Sequence, residues 1–251
     1  MKGSGLMRTI LWFLYFWLYL LAVEPWLWKV RALKRQGRTE EHDILAGRII
    51  HNWARRLLAA AGARVTVEGL ENLPEGTAVF VSNHQSYFDI PLALGYLGDP
   101  KGLVSKKEID RIPFIRQWMR ELGCVFLDRE NLRASVSALG DASDRVAAGY
   151  SMVVFPEGTR SETGEVGEFK AGAFKIAQKN KVPVVPFVLE GSSRLMGKHS
   201  LWIHPASVTV KILEPIDTSC YGREEWRALP ALAERRVKDG LALLRAGDAE
   251  R

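Results

Sequence analysis

The chain has 251 residues, 47% of them hydrophobic and 25% charged, enough apolar material for a sizeable buried core. With 22 Gly and 11 Pro this composition excludes a disordered or fibrous chain. Two cysteines, Cys124 and Cys220, supply neither a disulfide framework nor a zinc cluster and point to a reducing compartment.

The net charge of +6 is concentrated at the start: residues 1–65 hold 11 Lys+Arg, 4 Asp+Glu and five of the eight tryptophans. A nucleic-acid binder spreads its basic groups along the surface that tracks the phosphates, so no nucleic-acid partner is expected. Here the basic groups flank a hydrophobic stretch, which suits an anionic phospholipid membrane. Thr9 to Val23, TILWFLYFWLYLLAV, carries no charge. As a helix it measures roughly 22 Å, short of the ~30 Å hydrocarbon core. Extension through Trp28 takes in Glu24 and Pro25, and Lys29, Arg31, Lys34, Arg35 and Arg38 follow. Its Trp, Tyr and Phe residues favour the headgroup boundary. A secretory signal fits poorly, because Leu20-Leu21-Ala22 lacks a small-x-small cleavage pattern and the basic cluster lies on the wrong side.

The next segment, residues 43–62, places Leu45, Ile49, Trp53 and Leu57 four apart, with Arg48, Arg55 and Arg56 elsewhere on the wheel. This basic amphipathic helix suits membrane contact and packing on its own domain about equally. Residues 1–63 are therefore expected to form a membrane-associated helical pair that dips into one leaflet, with a single span as the alternative.

From Arg64 the pattern changes. Short β-branched runs (RVTVEGL, TAVFVSN, KGLVS, GCVFLD, SMVVFPE, VPVVPFVLEG and SVTVKIL) alternate with helical stretches at 89–97, 113–121, 131–148, 171–180 and 223–246. The alternation predicts one α/β domain over 64–251, with a largely parallel or mixed sheet flanked by helices. Ligands of such sheets bind beyond the carboxyl ends of the strands, where the polar motifs of this chain lie.

The first motif is NHQSYFD, residues 83–89. Ser86-x-x-Asp89 is a capping-box pattern, which accounts for two residues without any chemistry. It leaves His84 on the turn unexplained. If the strand-to-helix turn folds the Asp89 carboxylate onto His84 Nδ1, the pair becomes a general base and its orienter, with Nε2 free. No G-x-S-x-G elbow occurs, so the attacking hydroxyl would belong to the substrate.

Further strands end in Asp128-Arg129 and in Pro156-Glu157-Gly158-Thr159-Arg160-Ser161, and a third carries Lys106. Gly158 permits positive φ and close backbone approach, while Thr159 and Ser161 offer hydroxyls. Arg129, Arg160 and Lys106 at separate strand tips could cradle a phosphate; singly, each is also explained as a solvated surface charge. GKHS at 197–200 resembles the end of a P-loop, but its glycine is misplaced. His199 and His204 lack accompanying ligands, so no metal is expected. Cys124, inside an apolar strand, reads as packing.

Together NHQSYFD, GCVFLDR, FPEGTRS and VPVVPF (182–187), joined by FKAGAFKIA, resemble the four ordered blocks of the glycerolipid acyltransferases with the NHx4D motif. The likeness covers about 64–215 and is strongest to the bacterial 1-acyl-sn-glycerol-3-phosphate acyltransferases. It implies His84 as base and Asp89 as orienter. Arg129 and Arg160 would hold the acceptor phosphate with Lys106 assisting, and Glu157 and Gly158 would position the glycerol part; Thr159, by its hydroxyl, is a further substrate-binding candidate. Val182 to Phe187 would line the acyl or acceptor pocket, although strand packing explains them equally.

The implied reaction moves an acyl group from acyl-CoA or acyl-carrier protein to the 2-hydroxyl of lysophosphatidic acid, without cofactor or acyl-enzyme. The implied location is the cytoplasmic face of the cell membrane, in a monotopic arrangement. The alternatives are an acceptor such as glycerol-3-phosphate or a lyso-ornithine lipid, a lipid hydrolase using Ser86 or water, and a non-catalytic lipid-binding protein.

Overall fold

The structure, a computed structural model, describes residues 2–99, 101–128 and 130–249. Two long helices come first, α1 (Lys2–Arg35) and α2 (Thr39–Ala61), followed by β1 (Ala63–Glu68), β2 (Val79–Ser82) and α3 (Asp89–Tyr96). Then come β3 (Gly102–Lys106), α4 (Ile115–Glu121), β4 (Val125–Leu127), α5 (Leu132–Ala147) and β5 (Met152–Val154). The last elements are α6 (Lys175–Asn180), β6 (Val184–Glu190), the short α7 (Ser192–Leu195), β7 (Ala206–Ile212) and α8 (Arg223–Ala249).

The strands form one seven-stranded sheet in the order β1-β7-β6-β2-β5-β3-β4. All neighbours run parallel except β6 and β7, so the sheet is mixed. Every residue of the central strands β2, β5 and β6 is buried, as expected where helices cover both faces. Alternate side chains divide between two cores. Phe80, Val153, Val185 and Phe187 face α1, α2 and α3, while Val79, Val81, Val154 and Val184 face α5, α6 and α8.

All seven strand runs expected from the sequence form strands. The hydrophobic helix is longer than the uncharged run and passes straight through Pro25. Proline fits helical φ and removes one N–H; meanwhile Leu20, Leu27, Val30 and Leu33 are buried on both sides of it and hold the helix in place. The opposite side of α1 is bare, with Leu6, Met7, Ile10, Leu11, Leu14, Leu18 and Leu21 all exposed. Residues Gly5–Arg35 are long and apolar enough to cross a membrane.

For α2 the structure shows the domain-packing face. Ala46, Ile50, Ala54, Leu57, Leu58 and Ala61 are buried against α1 and α3, whereas Leu45, Ile49 and Trp53 are only half-buried at its margin. Trp12 Nε1 donates to Leu57 O at 2.9 Å, and Arg55 Nε to Gly95 O at 2.8 Å, tying α2 to both neighbours. Gly62 then adopts φ +80°, caps α2 and lets β1 start at the next residue.

Candidate active site

The site is assembled at the carboxyl edge of the sheet, where β2 and β5 end side by side. The β2–β6 ladder stops at Ser82 and Phe187. Beyond it the Asn83 side chain takes over: Nδ2 donates to Leu189 O at 2.8 Å and Oδ1 accepts from Leu189 N at 3.0 Å. An amide side chain thus imitates one more peptide of the strand, and it fixes the chain direction just before His84.

His84 is held through ring and backbone. Its Nδ1 lies 2.7 Å from Asp89 Oδ2, its N–H donates to Glu157 Oε1 at 2.8 Å, and its carbonyl accepts from Ser161 N at 2.7 Å. The ring stacks on Phe155 at 4.3 Å between centroids and keeps 16% of its side chain exposed. Nδ1 is committed to the carboxylate, which leaves Nε2 as the nitrogen for chemistry.

Base-orienter and cap, the two readings open from sequence, share one atom. Asp89 Oδ2 also accepts from Gln85 N at 2.6 Å and Ser86 N at 2.9 Å. Three donors converge on this oxygen, while Oδ1 of the same fully buried carboxylate has no partner among the described residues. Turn formation therefore places the orienting charge against the imidazole.

Glu157 is 7% exposed, and both its oxygens hold main chain, the second accepting from Gly167 N at 3.2 Å. Burial pushes its carboxyl above the ordinary value, partly offset by those two N–H bonds. Gly158 adopts φ +73°, and a Cβ there would lie 3.2 Å from Lys170 Nζ. The third block thus wraps the histidine turn closely and brings a lysine with it.

The Arg160 guanidinium stacks on Tyr87, 3.8 Å from the ring centroid, with Nη1 buried and unpartnered among the described residues. The structure thus brings together His84, Asp89, Glu157, Gly158 and Arg160. Thr159 is exposed on the same loop. Lys106 is exposed at the tip of β3, two strands from β2, outside the bonded cluster. Arg129 lies outside the described residues; its neighbour Asp128 accepts from Lys107 Nζ at 2.7 Å.

Serine nucleophiles are spoken for. Ser86 Oγ is buried and donates to Met196 O at 2.8 Å, and buried Ser82 Oγ donates to Asn83 Oδ1 at 3.1 Å. Cys124 is buried, with its thiol pushed up to about 12 by desolvation, so it packs rather than reacts. In the fourth block Val184 to Phe187 are buried within β6, and Val182 is half-buried before it.

Sequence reasoning missed Phe155, Tyr87 and Lys170. Phe155 and Tyr87 sit inside motifs already singled out, where aromatic neighbours of a polar residue were a usable signal. Lys170 needed the turn geometry.

The profile of the Acyltransferase family matches residues 64–190, from the first strand to the end of β6. The chain belongs to the acyltransferase family. Over 160 residues the chain is 42% identical to the chloroplastic 1-acyl-sn-glycerol-3-phosphate acyltransferase LPAT1 of Arabidopsis thaliana, covering 62% of this chain and 44% of the relative. It is 33% identical over 225 residues to the 1-acyl-sn-glycerol-3-phosphate acyltransferase of Cocos nucifera, covering 88% of this chain and 67% of that one. The chain thus spans less than half the length of the first relative and about two thirds of the second.

Among solved structures, the 1-acyl-sn-glycerophosphate (LPA) acyltransferase PlsC of Thermotoga maritima superposes with a TM-score of 0.86 at 32% identity. The superposition covers 98% of both chains, so the likeness includes the N-terminal helices as well as the sheet.

Proposed function

We propose that the chain is a membrane-seated acyltransferase that moves a fatty acyl group from acyl-CoA or acyl-carrier protein to the 2-hydroxyl of lysophosphatidic acid, giving phosphatidic acid. The observation that carries this reading is the 2.7 Å contact between His84 Nδ1 and a buried Asp89 carboxylate at the open edge of the sheet. The printed activities of the relatives support the choice of acceptor.

His84 Nε2 removes the proton of the acceptor's 2-hydroxyl as its oxygen bonds to the thioester carbonyl carbon. The carbon–sulfur bond breaks, and the leaving thiolate recovers a proton from the imidazolium. Asp89 stabilises that imidazolium and holds the ring orientation; a base of this kind contributes about 10²–10⁴-fold. No acyl-enzyme forms, and no cofactor is needed because the thioester is already activated. Arg160, held flat by Tyr87 with one guanidinium nitrogen unpartnered among the described residues, receives the acceptor phosphate together with Arg129, while Lys106 and Lys170 add positive charge at the rim. Holding the phosphate fixes the hydroxyl near Nε2. Glu157 positions His84 through the backbone, and Gly158 and Thr159 line the approach.

The bare apolar side of α1 seats the protein in one leaflet of the cytoplasmic membrane face, so that acceptor and product stay in lipid throughout. An activity matrix tests the whole reading. Purified protein in mixed micelles is offered acyl-CoA and acyl-carrier protein against lysophosphatidic acid, glycerol-3-phosphate and a lyso-ornithine lipid. Turnover is expected on lysophosphatidic acid; preference for another acceptor, or fatty acid released without any acceptor, overturns the assignment.

A further inference from the structure

The loop between α7 and β7 keeps two large apolar side chains in solvent although its own ends are sunk. Leu195, Met196 and Ile203 are buried in the core, yet Leu201 is 64% exposed and Trp202 46%. Packing cannot explain this pair, since both side chains are held outward by a segment anchored on either side of them.

The anchors connect three regions. Met196 O accepts from Ser86 Oγ of the histidine turn at 2.8 Å. His199 Nε2 lies 2.7 Å from Glu162, the residue after the third block, to which Lys198 also pairs. Ile203 N donates to Thr9 Oγ1 of α1 at 3.0 Å, and His204 lies against Gly5. The loop that carries Leu201 and Trp202 is therefore tied to the histidine turn at its start and, at its end, to the first turns of α1, where Leu6, Met7 and Ile10 are exposed.

Two arginines lie towards the C-terminal end of the loop. Arg8 lies beside Gly62 and Pro205, and Arg64 reaches Ser207 Oγ at 3.3 Å. Trp and Leu on an exposed loop that carries Lys198 and His199, both shared with Glu162, and that leads towards Arg8 and Arg64 match the chemistry of an anionic headgroup boundary.

We propose that the loop 196–205 is a second membrane-contacting element, inserting Leu201 and Trp202 into an anionic phospholipid surface beside α1. It rests on the membrane seating argued above. Such insertion holds the mouth of the site at a set depth, because the same loop is bonded to the histidine turn.

Site-specific labelling of the full chain tests it. In a Cys220→Ser background, an environment-sensitive dye is attached at Trp202→Cys, at Leu14→Cys on α1, or at Leu243→Cys on α8, which is exposed but remote in sequence from both elements. With vesicles of equal phosphatidylcholine and phosphatidylglycerol, emission at 202 and 14 is expected to shift to the blue and that at 243 to stay unchanged. A shift at 14 without one at 202 overturns the loop proposal and leaves the seating of α1 standing. No shift at either position overturns both, and a shift at all three means indiscriminate adsorption and also overturns the loop proposal.

A Leu201→Ser/Trp202→Ser variant supplies the second arm. Its apparent KM for acceptor embedded in vesicles is expected to rise about tenfold or more, the loss anticipated for two interfacial apolar side chains. With a short-chain acceptor dissolved as monomer, its turnover is expected to be unchanged. Equal loss in both arms, or loss in neither, overturns the proposal.

Discussion

The histidine on the turn after β2 and the histidine where α2 meets α4 both rest against carboxylates, at 2.7 Å for His84 and 2.8 Å for His42. They differ in what remains of the ring. His42 is 4% exposed, and its second nitrogen lies 3.3 Å from Glu121 Oε2. Glu121 in turn takes Arg31 at 2.9 Å and Lys34 at 3.4 Å from α1, while Asp43 accepts from Tyr150 at 2.8 Å. His42 is thus a strut that bolts the helical pair to the α/β layers. His84 has one nitrogen committed and its ring partly open at a strand tip, the requirement for a base. Contact with a carboxylate alone does not mark a candidate base; what separates the two histidines is that His84 keeps its second nitrogen unpartnered among the described residues, at an accessible edge.

Substitutions can break this contrast, and His84→Ala has the largest expected effect. Turnover should fall by about 10³–10⁴-fold while the unfolding midpoint and vesicle binding stay near those of the parent. An active variant would remove the base. Asp89→Asn comes next: its amide oxygen can still cap the backbone N–H groups, so the fold should persist while kcat drops roughly 10²–10³-fold. A drop in thermal stability that fully accounts for the lost activity would reduce Asp89 to a cap.

Arg160→Lys keeps the charge but loses the planar fork and the stack on Tyr87, so KM for the phosphate-bearing acceptor should rise about tenfold with a smaller change in kcat. His42→Gln should have the smallest effect on catalysis. Activity per folded molecule should be near that of the parent, with about 1–3 kcal/mol lost from unfolding in denaturant titrations. If His42→Gln abolished turnover without unfolding, the distinction between strut and base would collapse.

The strut also has a pH signature. Burial tends to raise the Glu121 carboxyl, but Arg31, Lys34 and His42 outweigh it and hold it below its ordinary 4.5. A depressed carboxylate contributes stability that is complete above 4.5 and disappears as pH falls through the lower folded value. Thermal melts across that acidic window should therefore lose stability, and Arg31→Ala should flatten the dependence.

The strands were legible because β-branched runs such as MVV and VVPFVLE are short and bounded by turn residues. Their order was not, since no local pattern says that β7 reverses against β6 or that β1 and β4 end up on opposite edges. The long apolar helix was visible as an uncharged run, but its extent was not: Pro25 reads as a stop until Leu27 and Val30 are seen buried beyond it. His84 and Asp89 could be paired from spacing. That a single oxygen serves ring and backbone alike emerges only in the folded turn. Glu157 looked like a ligand for substrate because nothing in FPEGTRS reveals that His84 and Gly167 claim its oxygens.

The Asn83 clamp has a consequence for biosynthesis. The amide that aims the histidine turn completes its bonds on Leu189, 106 residues downstream. A nascent chain that has not yet delivered that strand leaves the amide with no template, and the imidazole cannot be aimed. Under the proposed function, competence for chemistry comes late in translation, after the apolar helix α1 has already emerged, so a half-made polypeptide would meet a bilayer while still inert.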